Sequence, residues 1–266
     1  MKRFIIILLF VSKQFSYSQV DWEWEQAGWK NFDIINTMTT FDDNIFVGTR
    51  NNIQYSYDEG KTWVKTNVTN QIQNFAQNEN VIVASNASGA VYISYDKGET
   101  WDNIGSSVIT KGAFSIAIKG TTIVAGAYGG AEIYISNDLG GTWENKSTGL
   151  ATNKDLTISS IEIVEGDIFI GIRNGYSSGG GGLYYSSNMG ESWKLKGFSN
   201  INVSKVFYTA NKLFVTTDKL NVSNDMGNNW EQLDFSQSIR SIIMEGNTLY
   251  IGTYSGVYAS ADAGTS

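Results

Sequence analysis

Three arginines outside the first nineteen residues, Arg50, Arg173 and Arg240, are the side chains best suited to recognition chemistry in this sequence. A guanidinium pairs a carboxylate through two parallel hydrogen bonds. Around them in the chain stand aromatic residues flanked by Gly or small polar groups, namely Trp29, Tyr128, Tyr176 and Tyr254, and two carboxylates, Asp155 and Asp218. Such rings stack on sugars or anchor a protein partner. The chain holds no His and no Cys. That excludes imidazole general bases, thiolate nucleophiles and His/Cys metal sites, and leaves carboxylate, Tyr, Ser/Thr or Lys chemistry. No Asp-x-Asp-x-Asp-Gly loop occurs, so no metal is expected, and no cofactor either. The Gly-rich run from Gly175 through Gly179 to Gly182 is followed by neither Lys-Ser/Thr nor a helix. It reads as a hairpin insertion, a place where specificity can reside, rather than a phosphate loop.

The start of the chain carries a targeting signal. Lys2 and Arg3 precede an apolar run from Phe4 to Val11, and Ser16-Tyr17-Ser18 supplies small residues for cleavage. Residues 1–19 are therefore expected to be a signal peptide, and residues 20–266 an exported domain that lies outside the cell, on its surface or in a periplasm. The run is too short to span a bilayer. Without the signal the chain has 16 basic against 26 acidic residues, a net charge of −10. Nucleic acid and anionic membranes are poor partners for such a surface. A monomer stabilised by core burial, with no disulfide, is the expectation.

One segment recurs six times and sets the architecture: Ser56-x-Asp58-x-Gly60-x-Thr62-Trp63, then Asp96, Gly98 and Trp101, then Asp138, Gly140 and Trp143. The fourth copy has Asn188, Gly190 and Trp193, the fifth Asp225, Gly227 and Trp230, and the sixth Asp262 and Gly264, with the sequence ending at Ser266. The spacings of 38, 42, 50, 37 and 37 residues suit one propeller blade each. Within the segment the carboxylate can accept turn amides, Gly takes positive φ, and Trp leads into the next strand. Short strands punctuated by Gly or Asn precede each copy, so every unit reads as four antiparallel strands. With no helical period anywhere, an all-β, six-bladed propeller is expected.

These segments resemble the Asp-box, or bacterial neuraminidase repeat, of sialidases, plant-polysaccharide hydrolases, sortilin-type receptors and photosystem II assembly factors. The resemblance covers about residues 40–266, with Asn188 in place of Asp, Asn229 in place of Thr and no Trp after Ser266. It implies that the boxes are scaffold turns remote from any active site, and that an arginine triad would serve a substrate carboxylate. The sialidases' Phe-Arg-Ile-Pro segment cannot occur in a chain without Pro.

Trp24-Glu25-Gln26 repeats Trp230-Glu231-Gln232, so residues 22–28 are expected to donate the outer strand of the sixth blade and close the ring. The alternative is a fragment of a longer propeller with more blades. Strand connectivity puts all three arginines and the four aromatics on the face opposite the box turns. The expected function is a non-catalytic exported module binding a protein or a glycan there. The rival is a glycoside hydrolase, sialidase-like or polysaccharide-active, and a third reading is an assembly factor.

Overall fold

The computed structural model describes residues 33–86, 88–105, 109–150, 153–176, 179–235, 237, 239–246 and 248–261. They form six antiparallel sheets and, among the described residues, no helix. The first blade is β1 (Ile35–Phe41), β2 (Asn44–Thr49), β3 (Ile53–Ser56) and β4 (Val64–Lys65), and the second is β5 (Ile72–Gln77), β6 (Ile82–Asn86), β7 (Val91–Ser94) and β8 (Asp102–Asn103). The third blade is β9 (Ala113–Lys119), β10 (Thr122–Ala127), β11 (Ile133–Ser136) and β12 (Glu144–Asn145). The fourth is β13 (Leu156–Val164), β14 (Asp167–Asn174), β15 (Gly182–Ser186) and β16 (Lys194–Gly197). The fifth is β17 (Lys205–Thr209), β18 (Lys212–Thr216), β19 (Leu220–Ser223) and β20 (Glu231–Leu233). The sixth shows β21 (Ile239–Glu245), β22 (Thr248–Thr253) and β23 (Val257–Ser260).

Strands pair in chain order within every sheet, and the first strands β1, β5, β9, β13 and β17 lie side by side in succession. They are therefore the inner edge of a six-bladed propeller. Each second strand is sandwiched between two neighbouring blades, and its sequence shows it. In β6 (Ile-Val-Ala-Ser-Asn) and β10 (Thr-Ile-Val-Ala-Gly-Ala) apolar residues run continuously rather than alternating, because both faces are covered.

The repeated turn folds as its residue types dictate. Ser56 Oγ donates to Asp58 Oδ1 and accepts the Gly60 amide, while Asp58 accepts both the amide and the hydroxyl of Thr62 at 2.8 and 2.7 Å. Two consecutive left-handed residues make the corner: Glu59 at φ 61° and Gly60 at φ 86°. The same pair recurs at Lys97–Gly98, Leu139–Gly140, Met189–Gly190 and Met226–Gly227. Asn188 replaces the carboxylate without loss of geometry, since its Oδ1 accepts the Ser192 amide and its Nδ2 donates to Ser192 Oγ, both at 3.0 Å. At the fifth turn Asn229 does the work of Thr, donating from Nδ2 to Asp225 Oδ2 at 2.6 Å.

The tryptophans divide. Trp63 and Trp101 donate from Nε1 to the Gly60 and Gly98 carbonyls of their own turns, whereas Trp143 and Trp193 donate to Ile104 and Lys146 of the preceding blade. Asp262 and Gly264 of the sixth copy, and the segment 22–28 expected to close the ring, lie outside the described residues.

Candidate functional site

Connectivity puts the β2–β3 type of loop and the blade-to-blade links on one face, and the repeated turns on the other. On the first face the described contacts among the predicted residues gather at the joint of the third and fourth blades. Arg173 sits one residue before the end of β14, in register with Thr157 of β13. Its guanidinium lies over the Phe114 ring, with Cζ 5.3 Å from the centroid, and its Nε is buried without a hydrogen-bond partner. Phe114 in turn meets Tyr128, centroid to centroid 5.8 Å at 40°. Tyr128 remains 51% exposed, so the stack ends at solvent.

Phe114 reaches this position because β9 carries a bulge: its register against β10 jumps from Ser115 to Ala113, leaving Phe114 unpaired and re-aimed. The same irregularity falls at Asn36 in β1, Gln73 in β5, Ser159 in β13 and Arg240 in β21. Nothing in the composition of residues 113–119 announces a bulge, which is why Phe114 was not among the expected residues.

The link into the fourth blade brings further groups to the stack. The Gly175 amide donates to the Asp155 carbonyl at 3.1 Å, and the Tyr176 amide to Asn174 Oδ1 at 2.9 Å, leaving the Tyr176 ring 82% exposed. Asp155 and Tyr176 thus share the strand ends that carry Arg173. Gly130 and Ala131 both donate their amides to the Leu156 carbonyl, at 2.8 and 3.2 Å, fastening the Tyr128 loop of one blade to the first strand of the next.

The other predicted residues are spread around the face. Arg50 is exposed just after β2, three blades away from Arg173, with its amide bound to the Ile34 carbonyl. Asp218 is exposed in the β18–β19 loop and accepts from Thr217 Oγ1 at 3.1 Å. Tyr254 is 81% exposed between β22 and β23. Arg240 takes its backbone place at the β21 bulge, and its side chain, like all of Trp29, lies outside the described residues. Among the described residues no three Asp or Glu side chains cluster as a metal site would need.

Two titratable groups lie on the innermost strands. Burial raises Glu162 of β13 to about 7, although the Tyr208 amide and Lys119 favour its charged form. Lys205 of β17 touches solvent, yet protein atoms crowd its ammonium and that desolvation lowers its pKa.

No family model matches the chain, and no curated protein matches its sequence. Among solved structures, YCF48 bound to D1 peptide is similar at 15% identity and a TM-score of 0.68, over 89% of this chain and 81% of that one. The extracellular domain of a hybrid two-component system from B. thetaiotaomicron is 16% identical with a TM-score of 0.71, over 89% of this chain and 34% of its own. The GH74 xyloglucanase from Xanthomonas campestris is 14% identical with a TM-score of 0.62, over 83% and 43%. This chain therefore spans well under half of the latter two. At these identities the likeness shows the fold, a β-propeller.

Proposed function

We propose that this chain is a non-catalytic, exported propeller module whose face opposite the repeated turns binds a polypeptide, with Arg173, Phe114 and Tyr128 at the centre of the contact. The observation that carries it is the stacked guanidinium. Phe114 holds Arg173 in place while leaving the guanidinium's other donors to a ligand, and an aromatic ring beside an ordered Arg is the composition of interface hot spots. A peptide is preferred to a glycan because a neighbour of which this chain spans 81% is bound to a peptide, whereas it spans 43% of the xyloglucanase. A glycoside hydrolase also needs two carboxyl groups about 5 to 10 Å apart. The carboxylates predicted for this face, Asp155 and Asp218, belong to different blades.

Selection of a displayed random-peptide library on residues 20–266, with a glycan array and a fluorogenic glycosidase panel in parallel, tests this. Selected peptides should lose tenfold or more in affinity to Arg173→Ala or Tyr128→Ala, at unchanged melting temperature, and nothing to Arg50→Ala. Glycan binding or turnover without peptide binding overturns it.

A further inference from the structure

Beside the Arg173 stack, on the other flank of the Gly129–Gly130 loop, lies a pocket of about 210 Å³. Its polar wall includes Lys111, Glu132, Asn145 and Lys154, and its floor is Leu150 and Ala131, which are 7% and 0% exposed. Sites that enclose a whole small ligand run to about 300–1,000 Å³. This one has room for a single side chain of something larger.

Its charges are not balanced internally. Glu132 is already engaged at both oxygens, by Lys111 Nζ at 2.5 Å and by the Tyr134 hydroxyl at 2.6 Å. Burial pushes the Glu132 carboxyl up, but those two bonds outweigh it and hold the group below its ordinary value, so it is ionised at neutral pH. Two lysines therefore line a pocket that holds one carboxylate, and that carboxylate is already spent on Lys111. Lys111 keeps about half its side chain in solvent, with N–H donors to spare, and among the described residues no carboxylate lies within ion-pair distance of Lys154. The surplus is one positive charge, in a chain whose net charge is −7.

The backbone keeps the mouth open. Gly129 and Gly130 are both left-handed, at φ 79° and 102°, and a Cβ on Gly130 would stand 3.1 Å from Lys111 Nζ. A side chain there would displace the Lys111 ammonium from its present position.

We propose that this pocket is a carboxylate subsite that receives an Asp or Glu side chain of the polypeptide docked on the Arg173–Phe114–Tyr128 patch, its carboxylate bridging Lys111 and Lys154. This rests on the peptide reading above. A monoanion matches the single surplus charge, whereas a phosphate dianion would exceed it beside ionised Glu132. The apolar floor suits the methylene stem of such a side chain.

Two experiments separate the subsite from the peptide reading. In the first, backbone amide NMR of residues 20–266 is followed during titration with N-acetyl-glutamate amide, whose only carboxylate is on its side chain. Saturable shifts at Gly130, Ala131 and Lys154 are expected at millimolar concentration, absent with N-acetyl-glutamine amide and absent in Lys154→Met. Lys154 is exposed, so this variant should melt as the parent does. Equal shifts from the glutamine analogue, or larger ones from inorganic phosphate at the same concentration, overturn the subsite. In the second, an acidic residue should recur in the selected peptides, and its change to the amide should cost about tenfold against the parent and nothing against Lys154→Met. Peptide binding indifferent to that change removes the subsite and leaves the peptide reading. A carboxylate titration in a protein that selects no peptide does the reverse.

Discussion

The aspartates of the repeated turns show what a carboxylate does when turn amides and side-chain donors surround it. Asp58 is held at about 2, first by the Thr62 amide and then by its hydroxyl, and Asp225 is held at about 2 by the Asn229 amide and side chain. A lowered carboxyl contributes stability above its unfolded value and loses it as pH falls through the folded one. Asp58→Asn keeps an acceptor for the Thr62 amide, as Asn188 does naturally, but has nothing to titrate. Its stability deficit against the parent should shrink as pH falls from about 4 to about 2 in urea unfolding followed by circular dichroism. A deficit constant over that range would remove Asp58 from the acid-labile groups. Glu162 has the opposite sign. Raised by burial to about 7, it stabilises the fold below the ordinary glutamate value near 4.5 and loses that contribution as pH rises through 7. Glu162→Gln retains the acceptor for the Tyr208 amide, and should be more stable than the parent by about 3 kcal/mol at pH 8 and close to it at pH 4.5. No gain at pH 8 would mean that the carboxyl ionises freely in the folded protein.

Blades are joined by two devices that recur along the ring. Where a second strand meets the next blade the residue is often Gly: a Cβ on Gly48, Gly126 or Gly171 would stand 2.5 to 2.7 Å from Ile72, Ile158 or Val203 of the following blade. Side chains of the inner strands also bond forward to the next inner strand, Asn36 to the Ile72 carbonyl, Asn74 to that of Phe114 and Ser115 to that of Ile158, at 3.0, 2.7 and 2.9 Å. The repeated turns dock backwards. A Cβ on Gly98 would lie 2.1 Å from Phe46 Cε1 of the first blade, so this glycine is required both by φ 87° and by contact. Gly98→Ala should cost about 3 kcal/mol, strain and overpacking together, against about 1 kcal/mol for Gly120→Ala, where φ is 57° and nothing lies within 4 Å. Equal losses at the two positions, measured by chemical unfolding, would rule out the docking contact as a stabilising feature.

Around the whole ring, the joint between the sixth and first blades differs from the rest. A Cβ on Gly252 would meet only Ser241 of its own blade, and Ile35 and Met38 of β1 are 44% and 53% exposed. In β23, Val257 and Tyr258 are 50% and 40% exposed, whereas β7, β11 and β19 are buried throughout. Among the described residues the sixth sheet has three strands, with β23 outermost. An apolar edge of this kind invites pairing. Residues 22–28, which share Trp-Glu-Gln with the start of β20, are expected to cover it. Trp24→Ala should then cost about 3 kcal/mol, a fall of roughly 6 to 12 °C in melting temperature, and deletion of residues 20–28 more than that. An unchanged melting temperature would favour a further blade, rather than residues 22–28, as the partner of β23.

Much of this was legible before any coordinates, because a propeller blade is built from hairpins. Its pairings span a few tens of residues, and Ser56, Asp58, Gly60 and Thr62 satisfy one another within a single turn wherever the turn is placed. Blade number, strand order and the face on which each loop emerges follow from such local rules. The contacts of the candidate site do not. Arg173 meets Phe114 of the neighbouring blade across a bulge, Lys111 and Lys154 line one pocket from the links before and after the third blade, and Glu162 meets the Tyr208 amide of a strand more than forty residues later. Ring curvature and blade twist decide which loops converge, and these are properties of the closed assembly rather than of any segment. The three arginines shared a face in the sequence, but only the folded ring placed one of them on an aromatic stack beside a pocket with charge to spare.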